Sequence, residues 1–438
     1  MGLTVIIVGA GIGGLAAAVA LRRAGHQVTV LEKHNSKSEV GFAVGLYPNP
    51  MRVLRSLDID CKQIRLTPWL NTHFVKADQD PLEFLEQVTA TEAEGLDDDY
   101  GAPYCSAHRV DLHETLRDHA TKAEGAGRPV VIKEGQTVAE YDAESGSVKL
   151  QDGNVLEADV IVAADGVKST AHVSIIGHEQ PAVLTELSNV RFALPTEKFK
   201  EITALQLKPD TEKHPALYSG TSGARGLWRY PCRENTLQNF GLYELSDDPL
   251  TDEGKWRTQT KKEVAFERLK GFNDALHEVV RKADENEMYL WKVAERMPLP
   301  AWSKGKMTLL GDAAHPMKPT LGQGAAMAIE DAGVLGALLT DVNDSADVPA
   351  RLKLYEEMRR PRASAAQLLS MPNAVSYKLS DEVQKALRDF VPEEELSDLP
   401  NIKRPNVAHF FFKFDCVAEA RKVVSERYGG RMDSAVAV

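Results

Sequence analysis

The sequence predicts an α/β fold: a Rossmann-like domain that carries an inserted α+β domain on a mixed sheet and is followed by C-terminal helices. The chain opens with an apolar strand at Thr4–Val8, a glycine-rich turn, an alanine-rich helix at Leu15–Ala24 and a second strand. This order is typical of a parallel nucleotide-binding sheet. Buried-strand patterns return at Val160–Ala164 and Met307–Leu310. Alternating strands and helical stretches between about residues 180 and 291 indicate the inserted domain.

Composition and charge disfavour several classes of partner. The 438 residues are 43% hydrophobic and 26% charged, the balance of a globular protein long enough for two domains. The formal net charge of −12 disfavours nucleic acid and anionic membranes, because clustered Lys and Arg drive binding to both. No apolar stretch approaches the ~20 residues of a membrane-spanning helix. The four scattered cysteines form no C-x-x-C pair, so we expect no metal site, no disulfide framework and a cytoplasmic location.

A first glycine motif predicts a dinucleotide site. Gly9, Gly11 and Gly14 form G-x-G-x-x-G between the first strand and the first helix. The first glycine permits a tight turn, the second lets a pyrophosphate approach the backbone, and the third lets helix and strand pack closely. Glu32, followed by Lys33, ends the second strand, where a carboxylate can bind ribose hydroxyls and would repel the 2′-phosphate of NADP. We therefore expect FAD or NAD here rather than the glycine-rich turn of an ordinary α/β protein.

A second motif spans residues 310–325. It reads Leu310-Gly311-Asp312-Ala313-Ala314-His315-Pro316, then Pro319 and Gly322-Gln323-Gly324-Ala325. Asp312 at a strand end can bind a chain of hydroxyls such as a flavin ribityl presents. Gly322, Gly324 and Ala325 leave backbone N–H groups bare at the start of a long helix, Gly324–Leu339, where negative charge is favoured. A simple loop-to-helix junction is the alternative, and it does not explain why these residues occur together.

A third motif, Ala164-Asp165-Gly166-Val167-Lys168-Ser169, lies between the first two. Together, over about residues 3 to 370, the three motifs resemble those of the class A FAD-dependent aromatic hydroxylases, the flavoprotein monooxygenases of the salicylate-hydroxylase-like and fungal secondary-metabolism type. The resemblance implies a GR2-type FAD-binding domain in which Asp165 serves both FAD and the incoming nicotinamide nucleotide. His172 stands where the family usually has arginine, and this departure concerns the phosphate contacts of the nicotinamide nucleotide.

Two shorter segments agree with this resemblance. Gly41-Phe42-Ala43-Val44-Gly45 resembles the loop beside the flavin, and its lack of histidine fits noncovalent FAD. In His108-Arg109-Val110-Asp111-Leu112, Arg109 matches the arginine that contacts the FAD diphosphate. Its planar guanidinium suits that role, because it can bind two phosphate oxygens at once.

The resemblance also suggests domain boundaries. We expect a FAD-binding domain of residues 1–75, 103–178 and 292–370, a substrate domain of residues 76–102 and 179–291, and a C-terminal helical segment of residues 371–438.

Candidate substrate residues lie in the inserted domain. By period-two alternation Trp228 and Tyr230 share one face of a strand that resembles the wall of the family's substrate pocket. Aromatic walls suit a flat substrate, although ordinary half-buried aromatics would give the same pattern. Tyr218 is a further candidate for substrate binding. Arg191, on the strand Asn189–Leu194, matches an arginine proposed to act near the substrate oxygen in related fungal hydroxylases, and a surface ion pair is its alternative. Arg191 and Tyr230 are the catalytic candidates.

The resemblance implies a monooxygenase that uses NADPH or NADH and O2 to hydroxylate or epoxidise a small aromatic substrate through a flavin C4a-hydroperoxide. The cofactor supplies this chemistry, so neither a metal ion nor a protein nucleophile is expected. A monomer or homodimer is expected. Two alternatives stay open: a FAD-dependent dehydrogenase or reductase without oxygenation, and a non-catalytic FAD-binding protein.

Overall fold

The computed structural model describes residues 2–35, 41–69, 71–89, 100–220, 224–245, 257–371, 379–396 and 410–429. The strands are β1 (Thr4–Val8), β2 (Gln27–Glu32), β3 (Ala43–Leu46), β4 (Thr67–Pro68), β5 (Asn71–Lys76), β6 (Glu83–Thr89), β7 (Cys105–His108), β8 (Val131–Glu134), β9 (Val138–Asp142), β10 (Ser147–Leu150), β11 (Val155–Glu157), β12 (Val160–Ala163), β13 (Val183–Pro195), β14 (Ala216–Ser219), β15 (Arg225–Cys232), β16 (Leu237–Leu245), β17 (Arg257–Gln259), β18 (Tyr289–Glu295), β19 (Ser303–Lys304) and β20 (Met307–Leu309). The α-helices are α1 (Ile12–Arg23), α2 (Pro48–Ser56), α3 (Arg109–Thr121), α4 (Ala171–Ile176), α5 (Thr196–Lys200), α6 (Lys262–Arg268), α7 (Asp274–Lys282), α8 (Gly324–Leu339), α9 (Val348–Leu369), α10 (Asp381–Leu387), α11 (Glu393–Leu396) and α12 (Cys416–Tyr428).

A six-stranded sheet of order β19-β20-β12-β1-β2-β8 forms the first domain. All its strands run parallel except β19, which pairs antiparallel with β20. The α8 helix is buried from Ala326 to Leu339, as expected for a helix that is apolar on every side. It lies so close to α1 that a Cβ on Gly336 would be 2.7 Å from the Cβ of Ala20. The predicted Rossmann-like architecture is confirmed.

A second, eight-stranded sheet has the order β17-β18-β13-β16-β15-β14-β5-β6. It is mixed, because β14 and β5 are parallel while the other neighbours are antiparallel. Residues of α6 and α7 pack on one face around Phe192, Phe240 and Leu276. This is the predicted inserted domain. We call the opposite face, which carries Arg191 and Trp228, the inner face.

Two of the predicted domain boundaries cut through this sheet and are corrected. The boundary between residues 75 and 76 falls inside β5, and the boundary between residues 291 and 292 falls inside β18. Both strands hydrogen-bond along their length to the large sheet, through β14 and β13 respectively. The strand pattern of a sequence does not say which sheet a strand joins, and this is why the boundaries were misplaced.

A small sheet of order β3-β7-β4 places the loop Gly41–Gly45 beside the start of α3. Ala43 pairs with His108, and Arg109 is the next residue along the chain. The sheet therefore brings together the two shorter segments that resembled flavin contacts.

The described residues of the C-terminal part of the chain include helices, as predicted. α9 is followed by α10, α11 and α12. Across the described ranges, no helix combines the length and the apolar character needed to cross a membrane.

Two carboxylates of α8 are fully buried against two arginines of α9. Arg359 donates to Glu330 at 2.7 Å and to Asp331 at 2.8 Å, and Arg362 donates to both oxygens of Glu330 at 2.8 and 2.9 Å. Burial alone would raise the pKa of Glu330, but Arg362 and Arg359 outweigh it and hold this pKa at about 2. We call these four residues the charge cluster.

Replacing Glu330 by Gln should lower the free energy of unfolding at neutral pH by about 3–5 kcal/mol, because two buried guanidinium groups lose a partner. The contribution of a carboxylate with a depressed pKa is complete above its ordinary pKa of 4.5 and is lost as the pH falls towards 2. The gap between parent and variant in thermal unfolding midpoint should therefore narrow over that window. Glu357→Gln, at an exposed site of α9, is the control. A difference in unfolding midpoint between parent and variant that does not change with pH would contradict the role of ionised Glu330 as the partner of the two arginines.

Candidate active site

The glycine turn between β1 and α1 leaves one open position. Gly9 has φ +105°, and a Cβ there would lie 2.4 Å from the carbonyl oxygen of Ala164. A Cβ on Gly14 would lie 2.0 Å from the carbonyl oxygen of Gly9. A Cβ on Gly11, in contrast, would meet no protein atom within 4 Å. Gly9 and Gly14 are thus needed for packing, whereas Gly11 borders free space at the N-terminus of α1, where a diphosphate can bind.

Glu32 lies beside this turn. One carboxylate oxygen accepts from the backbone N–H of Ala10 at 2.8 Å, and the other accepts from that of His34 at 2.8 Å. The side chain is half-buried, and the neighbouring Lys33 is exposed. The spacing predicted from the sequence therefore places a carboxylate next to the first glycine motif.

Asp312 and Arg109 lie on a shared cleft. The Asp312 carboxylate follows β20 and is exposed. Burial by the surrounding protein nevertheless raises its pKa, against the opposing effects of His315, Arg109 and Arg296. A side chain that is enclosed by protein and still reached by solvent lines a cleft. Arg109, at the start of α3, is close enough to act on this carboxylate.

The second glycine motif leaves the N-terminus of α8 open to the same cleft. Gly322 has φ +63° and precedes the helix, which begins at Gly324. Around a Cβ on Gly324 the nearest atom would be Met317 Cγ, 3.9 Å away. Gly324 and Ala325 are both half-buried. Backbone N–H groups of this turn can therefore face an anionic group.

Asp165 and His172 belong to the third motif. Tyr141 donates to Asp165 at 2.7 Å, and burial raises the pKa of Asp165 against the lowering effects of Ser169, Tyr141 and Lys33. His172 is buried, with Nδ1 3.0 Å from the carbonyl oxygen of Ser169 and Nε2 accepting from the Gln180 N–H at 3.1 Å. Burial lowers its pKa, so the ring is neutral and both nitrogens are occupied. His172 cannot replace the family's arginine as a phosphate ligand.

These features together fit FAD. The open space at Gly11, the carboxylate of Glu32, the exposed carboxylate of Asp312 and the open helix terminus at Gly324 match a diphosphate, a ribose, a polyol chain and a flavin ring edge. Among the described residues, no group of three or more His, Cys, Asp or Glu side chains could hold a metal ion.

The strand register brings three of the four substrate candidates together. Arg191 and Trp228 both pair with Gly241, one on each side of β16, and Tyr230 pairs with Asn239 in the next row. Arg191, Trp228 and Tyr230 therefore share the inner face. Trp228 and Arg191 are half-buried, and Tyr230 is buried.

Tyr218 lies elsewhere, and its assignment to substrate binding is corrected. It pairs with Leu227, on the face that α6 and α7 cover, and is 1% exposed within the core that contains Phe192 and Phe240. Because alternate residues of a strand point to opposite faces, Tyr218 cannot share a pocket with Trp228.

Arg191 and Tyr230 meet at the loop Gly41–Gly45. Arg191 Nη2 donates to the carbonyl oxygen of Ala43 at 2.8 Å, and the Tyr230 hydroxyl donates to the same oxygen at 2.6 Å. Asn239 accepts from the Ala43 N–H at 3.1 Å. The arginine also lies over the Phe42 ring, 4.8 Å from its centroid. These contacts are not the surface ion pair that was the alternative for Arg191.

The sequence did not single out the aromatic residues that continue this face. The Trp69 ring stacks on Tyr230 at 5.3 Å and on Tyr104 at 4.8 Å, and Tyr104 lies 4.6 Å from Tyr47. Phe412 stacks on Tyr47 at 5.4 Å. They lie in the connections next to short strands and in the C-terminal segment, where no periodic pattern marks a buried side chain.

Comparison with known proteins decides the family. A sequence profile of the family described as "FAD binding domain" matches residues 2–369. A relative from Diaporthe leptostromiformis named FAD-dependent monooxygenase phomE′ is 34% identical over 401 residues, which cover 90% of this chain and 96% of that protein. The chain belongs to the FAD-dependent monooxygenases.

Other comparisons with this flavin monooxygenase agree. It is 32% identical over 391 residues to the 6-hydroxynicotinate 3-monooxygenase of Pseudomonas fluorescens, covering 84% of this chain and 90% of the relative. A solved salicylate hydroxylase in its substrate complex has the same fold, with 22% identity, a TM-score of 0.71, and coverage of 96% of this chain and 97% of that chain. FAD is the cofactor, and oxygenation is the reaction class.

Replacing Gly11 by Ala in the monooxygenase should leave the fold intact and lower the FAD content. Its φ of −70° suits alanine, and the added methyl would occupy only the open space beside α1. Gly14→Ala is the matched comparison, because its methyl would collide with Gly9 and should lower stability as well. The ratio of flavin to protein absorbance and the thermal unfolding midpoint separate the two effects. A Gly11→Ala variant with full FAD would show that the diphosphate lies elsewhere.

Proposed function

We propose that the enzyme hydroxylates or epoxidises a small, electron-rich aromatic substrate held between FAD and the inner face of the inserted sheet. The observation that carries this proposal is the position of Arg191. It stands half-buried on the inner face and binds Ala43, inside the loop that resembles a flavin contact. A cation at this place can reach a substrate that lies against the flavin.

For FAD, we assign the residues of the three motifs and the two shorter segments. The assigned residues lie around the cleft between the first sheet, α3 and α8, where Gly9 and Gly14 shape the turn and the others face the cofactor: Gly9, Gly11, Gly14, Glu32, Lys33, Gly45, Arg109, Asp165, Asp312, Gly322, Gly324 and Ala325. Bound FAD would supply the redox chemistry, namely acceptance of a hydride from NADPH or NADH and activation of O2.

Arg191 can bind an oxygen of the substrate. Its hydrogen bonds to described residues all use Nη2, at 2.8 Å to Ala43, 3.4 Å to Tyr230 and 3.4 Å to Asn239. Nε and Nη1 are therefore available for a phenolate or carbonyl oxygen. Burial lowers the pKa of Arg191, yet arginine stays charged in proteins. Holding a phenolate keeps electron density on the ring carbons ortho and para to that oxygen, which are the carbons that attack an electrophilic oxygen atom.

Tyr230 orients Ala43 and Arg191 and does not exchange a proton with the substrate. Its hydroxyl proton is committed to the carbonyl oxygen of Ala43, and burial raises its pKa although Arg191 acts in the opposite direction. The phenol therefore stays protonated at neutral pH. It fixes both Ala43 and Arg191, and Trp228 supplies a flat apolar wall beside them.

The relatives and the chain's composition support the remaining parts of the proposal. One relative is named 6-hydroxynicotinate 3-monooxygenase, after an aromatic acid that bears a hydroxyl group. This name agrees with a substrate that offers an oxygen to Arg191. In the described part of the chain none of the four cysteines forms a disulfide, which suits a reducing cytoplasm. We propose a monomer or homodimer that uses either NADPH or NADH.

The function is tested by offering the purified holoenzyme a panel of phenols, aromatic acids and hydroxylated heteroaromatics. We expect selected members to stimulate NADPH or NADH oxidation and to gain one oxygen atom from labelled O2. Stimulated oxidation that yields a dehydrogenated product without label would instead indicate a dehydrogenase or reductase.

Replacing Arg191 by Ala should raise the fraction of reduced nicotinamide that ends as hydrogen peroxide, because a ring that is not held at near-attack distance, about 3–3.5 Å, is not oxygenated in time. Product formed per nicotinamide oxidised is the measurement. Arg225→Ala is the control, since Arg225 lies on β15 but points to the helix-covered face and binds the Arg268 carbonyl at 3.0 Å. If Arg191→Ala and Arg225→Ala are equally well coupled, another residue holds the substrate.

A further inference from the structure

Tyr47 fills the gap between the two glycine-containing loops at the flavin site. A Cβ on Gly45 would lie 3.0 Å from the Cζ atom of Tyr47. A Cβ on Gly322 would lie 1.9 Å from the Tyr47 hydroxyl oxygen and 2.9 Å from its Cζ. The phenol ring therefore occupies the space that side chains at Gly45 and Gly322 would need. Gly45 lies in β3, just before α2, and Gly322 lies in the loop before α8.

The ring of Tyr47 has little freedom to move. Tyr104 contacts it with a centroid distance of 4.6 Å, and Phe412 stacks on it at 5.4 Å with an angle of 23° between the planes. Two residues further on, Asn49 donates to Gln323 at 3.2 Å and to Glu330 at 2.6 Å. Tyr47 itself is 7% exposed. The ring is thus held by Tyr104 and Phe412, while Asn49 ties the start of α2, just after Tyr47, to α8 and the residue before it.

The segment that carries Phe412 is fixed by two arginines. Arg362 of the charge cluster donates to the carbonyl oxygen of Phe410 at 3.0 Å and to that of Phe411 at 2.7 Å. Arg52 of α2 donates to the carbonyl oxygen of Phe414 at 2.6 Å. Because the backbone is held on both sides of it, Phe412 is directed onto Tyr47.

We propose that Tyr47 is a positioning residue for FAD: its ring sets the separation of the loops at Gly45 and Gly322, and Phe412 of the C-terminal segment holds that ring in place. The proposal rests on FAD binding and not on the proposed substrate. A tyrosine ring that only filled space in the core would not require glycine at two neighbouring positions. Here the hydroxyl end of the ring lies against Gly45 and Gly322, two glycines of segments assigned to the flavin site, as well as against Tyr104.

If the proposal is right, the ring of Tyr47 and the missing side chain of Gly322 are complementary in size. A double-mutant cycle measures this as the coupling between substitutions at the two positions. Gly322→Ala should weaken FAD binding, because the methyl collides with Tyr47 and because φ +63° strains an alanine, a cost that the single and the double variant share. Tyr47→Leu should weaken FAD binding because the gap is no longer filled. In the double variant the methyl enters the space that the ring left. We expect it to bind FAD roughly tenfold more tightly than Gly322→Ala alone, within the range of coupling between contacting residues.

The dissociation constant for FAD, from dilution of each holoenzyme followed by flavin fluorescence, is the readout. Gly324→Ala is the matched control, since a Cβ there would meet only Met317, at 3.9 Å. Its effect should simply add to that of Tyr47→Leu. If the effects of Gly322→Ala and Tyr47→Leu are also additive, the two residues do not act through each other and the proposal is overturned.

The role of the C-terminal segment is tested at two neighbouring residues. Phe412→Leu should increase the dissociation constant for FAD, because Tyr47 loses its stacking partner. Phe411→Leu is a change of the same size at a side chain that is 1% exposed and makes an edge-to-face contact with Phe410. It should lower the thermal unfolding midpoint without a comparable change in FAD affinity. Equal FAD affinities in the two variants would remove Phe412 from the proposal.

Discussion

The flavin site depends on a buried cluster of charges behind it. Asp331 accepts from the Gly311 N–H at 3.1 Å and contacts His315 Nε2 at 2.7 Å, and thereby fixes the loop that presents Asp312. Glu330 binds Asn49 of α2, while Arg362 extends to the C-terminal segment. Burying four charged groups is costly unless every one has a partner. These groups pair with one another and also bind the loop at Gly311, Asn49 of α2 and the C-terminal segment, so the requirement for pairing also fixes the positions of those parts relative to one another.

The sequence predicted those parts of the fold in which the backbone conformation of a few neighbouring residues requires a particular residue type. The glycines at 9, 11 and 14, with Glu32, predicted a turn, a helix terminus and a nearby carboxylate, and the strands β1, β12 and β20 were recognisable from short apolar runs. Those features depend on the backbone within a few residues. The family assignment followed from three such features in the right order.

The remaining features depend on contacts between distant segments. The ring of Trp69 stacks on Tyr230, and Phe412 stacks on Tyr47, across separations at which a sequence carries no periodic signal. Period-two alternation grouped Trp228 with Tyr230 correctly, but it could not relate Tyr218, on another strand, to the same face without the strand register. The misplaced boundaries in β5 and β18 have the same origin, because membership of a sheet is a property of pairing and not of composition.

The strand order also determines when the protein can acquire its cofactor during synthesis. β1 lies between β2 and β12, and β12 is flanked in turn by β20 at residues 307–309. The glycine turn that follows β1 packs on Ala164, and the loop at Asp312 is held by a cluster that includes Arg359 and Arg362. Translation must therefore proceed through most of the chain before the first nine residues find all their neighbours. Parallel pairing over such separations is slow, and it leaves apolar strand surface uncovered in the nascent chain. Capture of FAD is accordingly a late event in synthesis, because the site is complete only when these distant segments have come together.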